Sequence, residues 1–580
     1  MPNTRVMLWV ALAAILFLNY EAWMRDYPAS PPVAAQAVGG NAAGSNTLGD
    51  SVPQAGAPGA ATDAPAAGSP PVAGSSTPSV AGSASVSPES FAPAASSEPT
   101  PGAPVHVVTD VLDLDINLKG GELDRADLLQ YPVHKDTPNT PVRLFNSDPN
   151  DRYLLQTGLT GAPGEAAPSH LVTWSAAATS YVLPAGTDEL RVPLTWTDGH
   201  GLTVVKTFTF KRGGYAIDLA YDVRNDGASP RALAAYSQFL RHWVKASRSY
   251  FDVETYSFKG PAVYDGRKAT DLKVDNEADS HFSETTTDGW IGTLQHHFVS
   301  AIVPPAGQPH RVKLQVQDQQ YLLSATGPMM TIAAGGKAQY SEKLFVGPKL
   351  QEQLAATGPR LDLAADYGKL TVLAHPLFVT LKWVHALTGN WGWSIILVTA
   401  LIKLLFYPLS QASGRSMAKM RAISPRMKQI QESYKDDRER LGRAMMELYK
   451  KEKINPLAGC LPMVVQIPFF ISFYWVLLES VEMRQTPFLL WINDLSSRDP
   501  YFVLPLLMGG AMYAQFKLNP APPDPTQAKI MQFMPLVMTG MMAWFPSGLV
   551  LYWLTNTVLS IVQQWRVNQV VQAEASKPRT

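Results

Sequence analysis

Cysteine is almost missing from this chain. Cys460 is the single one in 580 residues, so no intrachain disulfide can form and a disulfide-framework fold is excluded. Net charge is missing too. The 48 basic and 48 acidic residues cancel, so overall charge points to no partner. There is no G-x-x-x-x-G-K-[ST] phosphate loop, no dinucleotide-binding glycine pattern and no H-E-x-x-H zinc helix. No metal-ligand spacing or nucleophile motif stands out either. The chemistry is therefore expected to use no cofactor and no metal, and no bond-making site is read from the residues. Residues 28–104 lack Lys and Arg altogether and carry four acids, Asp50, Asp63, Glu89 and Glu98.

What is present is sorted unevenly along the chain. At the start, Arg5 precedes an apolar run from Val6 to Leu18, the shape of an export signal. Two readings stay open. One is a cleaved signal peptide, with AAQA at 34–37 as the cleavage region. The other is an uncleaved anchor over 1–24, with Arg5 kept inside. Residues 25–104, rich in Ala, Pro, Ser and Gly, read as a disordered linker with too few large apolar groups to offset ordering entropy.

Residues 105–347 alternate apolar and polar side chains, as in HGLTVVKTFTFKRGGYAIDLAYDVRNDG (200–227), with a turn at Gly213-Gly214. This period of two predicts a large antiparallel β-sandwich, and the export signal puts it outside the cytoplasm. The plain expectation for it is a scaffold or docking domain.

After residue 347 the chain turns apolar. Residues 348–391 are expected to hold a linker and an amphipathic helix at the membrane interface. Leu377, Leu381, Val384 and Leu387 would lie on one side, with Trp383 and Trp391 at headgroup depth. Five spans are then predicted, at about 392–409, 458–479, 501–517, 530–545 and 548–566, within a core of 392–567. Between the first two, residues 411–455 carry twelve cations against six acids. The positive-inside rule makes this segment cytoplasmic. Met417, Met420, Met427 and Met445 recur at helical spacing, so it reads as a Met-rich helical hairpin, with Ser424-Pro425 able to cap and restart its first arm. The methionines either join the two arms or offer an adaptable apolar surface. Residues 568–580 would form a cytoplasmic tail.

Lys403 stands inside the first span, in ILVTALIKLLFYPLS (396–410). A cation at the bilayer centre costs roughly 2.5–3.5 kcal/mol on insertion scales. Thr399 lies four residues before it, on the same helix face, and no acid lies within a span core to pair with it. The lysine either faces a water-filled cavity or reaches the headgroups with its long side chain. A Ser–Lys peptidase dyad with Ser394 or Ser410 is disfavoured by the nine- and seven-residue separations.

The segments YPLSQASGRSMAKMRAISPRMKQIQ, ELYKKEKINPLAGCLPMVVQIPFFISFY, PFLLWINDLSSRDPYFVLPLLMG and IMQFMPLVMTGMMAWFPSGLVLYWLTN resemble the YidC/Oxa/Alb family of membrane protein insertases. The resemblance is dense over about 345–570, and the anchor, linker and β domain before it fit the same layout. It implies an α-helical polytopic membrane protein of the bacterial inner membrane, with an N-terminal anchor, a five-helix core, a periplasmic β-sandwich and both termini cytoplasmic. The core would enclose a hydrophilic groove open to cytoplasm and lipid. Lys403 takes the position of the groove's single cation, where most bacterial relatives carry arginine; charge is kept and the guanidinium fork is lost. Thr399, Gln466, Gln532 and Asn556 would line the groove. Leu461, Pro462, Ile467, Phe470, Phe473, Met534, Pro535 and Met538 would form a slide for the substrate. Tyr552 and Trp553 match an aromatic pair at the outer lid, where many relatives have two tyrosines. The implied partners are nascent membrane proteins, the ribosome, the Sec translocon and membrane lipids, with no small-molecule substrate and no nucleotide. The family's β domain is related to sugar-binding folds, but no sugar-site residue can be matched here. A small-solute transporter and a membrane-anchored carbohydrate-binding protein or enzyme are the competing functions.

Overall fold

The computed structural model describes residues 47–55, 104–244, 257–365, 370–434, 437–452, 461–518 and 525–575. The expected anchor at 1–24 lies outside the described residues, as does nearly all of the linker.

The expected sandwich runs from the strand Val105–Val108 to the strand Lys337–Pro348. Its strands form an eleven-stranded and a nine-stranded sheet. Pairing is antiparallel throughout except where Val105–Val108 lies parallel to Ser180–Val182. The strand Leu202–Lys211 shows how sequence becomes layer. Leu202, Val204, Phe208 and Phe210 alternate inward, and Gly213 at φ 68° turns the chain into Ala216–Asn225. The two inner faces share one core, which includes Leu155, Phe208, Phe239 and Phe345, all fully buried.

Lys206 occupies an inward position of that same strand and has no exposed surface. Its ammonium crosses to the other sheet, donating to the Gly121 carbonyl at 2.6 Å and the Thr157 carbonyl at 3.1 Å. The rings of Phe208, Trp174 and Tyr221 stand 5.1–5.8 Å away. Burial pushes Lys206 down to about 7 and pushes Glu122 and Glu342 up to about 7. A buried cation persists only where partners surround it. Here they are carbonyl oxygens and aromatic faces.

One piece of the expected linker behaves otherwise. Residues 47–55 lie against the sandwich, with Leu48 buried among Leu154, Leu240 and Leu322. Composition averaged over 25–104 hides one leucine with a fitted site.

Among the described residues, the short helix Gln351–Thr357 is followed by eight longer α-helices, here α1 to α8: Thr371–Thr388, Trp391–Leu405, Tyr407–Ser433, Arg438–Lys451, Leu461–Glu479, Val503–Leu518, Pro525–Met542 and Ser547–Ala575. Among the described residues, no single helix is long and apolar enough to cross a membrane. Helix α2 with the start of α3 is so only as a pair, bent by 64°. The 15 residues of α2 rise about 22 Å, short of the ~30 Å hydrocarbon layer. The first expected span therefore ends earlier than 409, and the hairpin's first arm starts at Tyr407. That arm runs unbroken through Pro425, so Ser424-Pro425 does not restart it. Helix α8 continues to Ala575, taking in much of the expected tail.

Helix α1 buries Leu377, Leu381 and Val384 against the core, while Leu387 is exposed and Trp383 faces outward. Trp391 is buried and stacks on His385 at 4.0 Å rather than facing headgroups. The sandwich meets the helices through the segment after α5. Lys135 Nζ donates to the Asn493 carbonyl at 2.7 Å, and Arg484 Nη2 to the Val133 carbonyl at 3.0 Å. His296 Nε2 bonds the Leu478 carbonyl at 3.0 Å. Burial holds His296 down at about 4, so the neutral ring is the donor.

Gly121 has φ +56°, and a Cβ there would stand 3.0 Å from Lys206 Nζ and 3.2 Å from Leu194 and Trp174. Gly164 has φ +88° with open space around it. Gly121→Ala should cost about 2–5 kcal/mol, as left-handed strain and overpacking combine. Gly164→Ala should cost about 1–2 kcal/mol from backbone strain alone. Urea unfolding of the full chain, followed by circular dichroism, measures both; equal costs would mean that Lys206 does not crowd Gly121.

Candidate functional site

The site grows from α2. Asn390 caps it, its Oδ1 accepting from the amides of Gly392 (2.9 Å) and Trp393 (3.2 Å). Ile395 and Val398 anchor its buried face. Lys403 sits in its last turn. Its ammonium donates to Ser560 Oγ at 2.8 Å and, more weakly, to Gln466 Oε1 at 3.5 Å. Gln466 Nε2 donates to Asn556 Oδ1 at 2.5 Å, and the Ser560 hydroxyl donates to the Asn556 carbonyl at 2.7 Å. Helices α2, α5 and α8 thus meet in one polar cluster inside an apolar bundle. The lysine's partners are a hydroxyl and an amide oxygen, both neutral, so its charge is solvated but not cancelled.

Beside it lies a narrow cleft lined by Ile402, Lys403, Phe406, Ser410, Gln466 and Phe469. Its free volume of about 20 Å³ suits on the order of one water molecule. Ser560 is the partner that sequence reading missed. Its signal is the four-residue step from Asn556, which stacks both on one face of α8. The short Lys403–Ser560 contact is not a nucleophile pair as arranged, because the hydroxyl proton points to the Asn556 carbonyl.

The other expected groove residues sit in different places. Thr399 is buried, and its hydroxyl donates to the Ile395 carbonyl of its own helix at 2.6 Å. Gln532 is exposed on α7, away from the cluster. Lid and slide residues mix. Tyr552 is buried and stacks on Phe473 at 4.5 Å and Phe470 at 5.9 Å, while Trp553 meets Phe470 edge-on at 4.6 Å. Phe473 has no exposed surface, so it packs the bundle instead of offering a sliding face. Ile467 is 49% exposed and Met534 44% exposed, whereas Pro535 is buried and Met538 half-buried. Leu461 and Pro462 open α5; their side chains lie outside the described residues.

In the hairpin, Met427 is buried with Ile423, and Met420, Met445, Leu448 and Tyr449 pack around them. Arg426 and Glu452 pair across the arms at 2.7 Å. These methionines join the arms to each other. Met417 is in α3, with its side chain outside the described residues. Around the bundle, Leu401, Leu404, Leu405, Leu506, Leu536 and Val537 are all more than half exposed. An apolar surface of that extent calls for lipid or a partner.

The comparisons with known proteins agree along the whole chain. Residues 104–380 match the YidC periplasmic domain, and residues 383–574 match the 60Kd inner membrane protein family. The membrane protein insertase YidC of Thioalkalivibrio sulfidiphilus is 43% identical over 595 residues, covering 100% of both chains. The chain belongs to the YidC family. The Nitrosococcus oceani insertase is 42% identical, covering 99% of this chain and 100% of the relative. That of Methylococcus capsulatus is 45% identical, covering 82% and 87%. A solved active YidC insertase with its first transmembrane domain resolved shares 18% identity over 80% of this chain, at a TM-score of 0.35. As in other YidC family members, the helical part is membrane-integral and the sandwich is the periplasmic domain.

Interhelical hydrogen bonds in membrane bundles are worth about 0.6 kcal/mol on average and up to about 1.7 kcal/mol. Lys403→Met combined with Ser560→Ala should show a coupling of that size in a double-mutant cycle on thermal unfolding in detergent. A coupling of zero would mean that the 2.8 Å contact does no holding.

Proposed function

We propose that the chain moves hydrophobic segments of nascent proteins from the cytoplasm into the inner membrane, with the polar cluster around Lys403 as the transient host for their polar flanks. The observation that carries this is the charge state of the cluster. Lys403 is held by neutral groups, so an entering carboxylate is a better partner than any it now has. The reading places the N-terminal anchor and the five core helices α2, α5, α6, α7 and α8 across the bilayer. The hairpin α3–α4 and both termini are then cytoplasmic, which fits the excess of cations at 411–455.

A segment first meets the hairpin, whose cations also suit lipid headgroups or ribosomal RNA. Its polar flank enters beside Lys403, Gln466 and Asn556. Its apolar part moves along Ile467 and Met534 into lipid. Leaving water drives the apolar part. The membrane potential adds up to about 2.3 kcal/mol per 100 mV for an acid moving outward. No step needs a nucleotide. The ribosome and the Sec translocon are the partners expected to deliver such segments. The aromatic cluster Phe470–Phe473–Tyr552–Trp553 supports closure at the outer end.

A carbohydrate function of the sandwich is the alternative. Deleting most of 105–347 would abolish it and leave insertion working. The decisive measurement concerns charge. Wild type, Lys403→Arg, Lys403→Ala and Lys403→Glu are reconstituted in liposomes and scored on a single-span substrate with an acidic outer flank. Arginine should preserve insertion. Alanine and glutamate should lose at least about tenfold, equivalent to about 1.4 kcal/mol. Full activity of Lys403→Ala would remove Lys403 from the mechanism.

A further inference from the structure

The outward face of the eleven-stranded sheet carries an arrangement that solvent does not explain. Three neighbouring strands pair in register, so that Leu154 lies opposite Leu240 and Leu240 opposite Leu322. One step along, Gln156 pairs with Gln238. The residues between them, Leu155, Phe239 and Leu323, point into the sandwich core. A solvated outer face would alternate to polar residues. This one instead has a row of leucines beside a row of buried amides. Gln156 is 4% exposed, Gln238 0% and His170 3%.

Residues 47–55 cover that face. Leu48 fills the leucine row. The buried polar groups are aimed at the segment's backbone rather than at its side chains. Gln156 Nε2 donates to the Gly49 carbonyl at 3.3 Å, His170 Nε2 to the same carbonyl at 3.0 Å, and Gln238 Nε2 to the Ser51 carbonyl at 3.1 Å. The histidine is set for this. Tyr236 OH accepts from the His170 amide at 2.9 Å and so gives its own proton to Nδ1 at 2.6 Å, leaving Nε2–H free to donate. Gly49 passes close to the sheet, where a Cβ would stand 3.0 Å from Leu240 Cδ2. Beside Val52–Ala55 a cavity of about 260 Å³ continues along Thr160, Glu165 and Met329.

We propose that this face of the sandwich is a peptide-recognition groove, and that the chain's own Thr47–Ser51 is its resident ligand in cis. The groove reads a leucine followed by a glycine, through one apolar pocket and three side-chain donors to main-chain carbonyls. With the segment seated, each donor is both buried and paired, as folded proteins require, and Gln238 Nε2 is further oriented by Gln156 Oε1 at 2.8 Å. Main-chain bonds supply affinity and the pocket supplies selectivity, as in other extended-peptide sites. The bound segment fixes a point 47 residues from the N-terminus to the periplasmic domain. The proposal stands apart from the role of Lys403.

The test uses the full-length protein in detergent. Hydrogen exchange with mass spectrometry should show protected amides over 48–52 in wild type, independent of protein concentration. Leu48→Asp, a change confined to the segment, should lose that protection while the sandwich strands keep theirs. A fluorescein-labelled peptide of residues 44–56 should then bind Leu48→Asp protein. It should bind wild type at least about tenfold more weakly, because the cis segment competes at high effective concentration. The same peptide with Leu48→Asp should bind neither. Adding Gln238→Leu to the Leu48→Asp protein should weaken the wild-type peptide. Absent protection in wild type, or equal peptide binding by wild type and Leu48→Asp, would overturn the proposal. Protection that rises with protein concentration would overturn the cis assignment in favour of exchange between copies.

Discussion

A single positive charge placed among apolar helices constrains everything around it. Lys403 cannot be left bare in the bundle, and no carboxylate is supplied in its helix. The chain answers with neutral groups from two other helices, Gln466 on α5 and Ser560 on α8, themselves tied together through Asn556. This arrangement ties α2, α5 and α8 together at one point within their apolar packing. Helix α2 ends at Leu405, two residues beyond the lysine, and its continuation leaves at 64° to start the hairpin, with Pro408 in the first turn of α3.

The sandwich holds a second buried lysine and treats it differently. Lys206 is closed in by the carbonyls of Gly121 and Thr157 and by three aromatic rings. It joins two sheets, with its N–H groups directed at backbone carbonyls of Gly120, Gly121 and Thr157. Lys403 is only partly enclosed, adjoins a cleft, and keeps one donor position beyond its two partners. Both are lysines in low-dielectric surroundings. Burial alone does not separate the two lysines; Lys403 differs in adjoining a cleft, which the proposed function requires.

Much of this was legible in the chain itself. Period-two alternation marked the sandwich to within a residue of its observed end at Pro348. Lys403, Gln466 and Asn556 stood out as polar residues in apolar runs. Ser560 did not, because a serine in a helix is ordinary until a cation lies across from it. Phe473 and Ile467 are six residues apart on one helix, yet one is wholly buried and the other half exposed. Spacing defines faces of a helix, but not which face meets a neighbour. The same limit hid Leu48, whose site is assembled from three strands more than a hundred residues away. Helix ends were misjudged at two points: α2 stops at Leu405, short of the expected 409, and α3 runs on past Pro425, where a restart was expected.

On the proposed function, the polar cluster would both hold its helices together and give way to an entering segment. Each bond from Lys403 goes to a neutral acceptor, and Gln466 at 3.5 Å is near the limit of a hydrogen bond. A carboxylate adds a full opposite charge to the hydrogen bond, which the neutral and poorly placed Gln466 oxygen at 3.5 Å does not. The exchange leaves the amide free to bond water or the entering backbone, so no polar group is stranded. An ion pair built in place of this cluster would have to be broken first, at about 3–5 kcal/mol. A lone lysine with neutral neighbours is therefore better suited to transient occupancy than a stronger, self-satisfied pair.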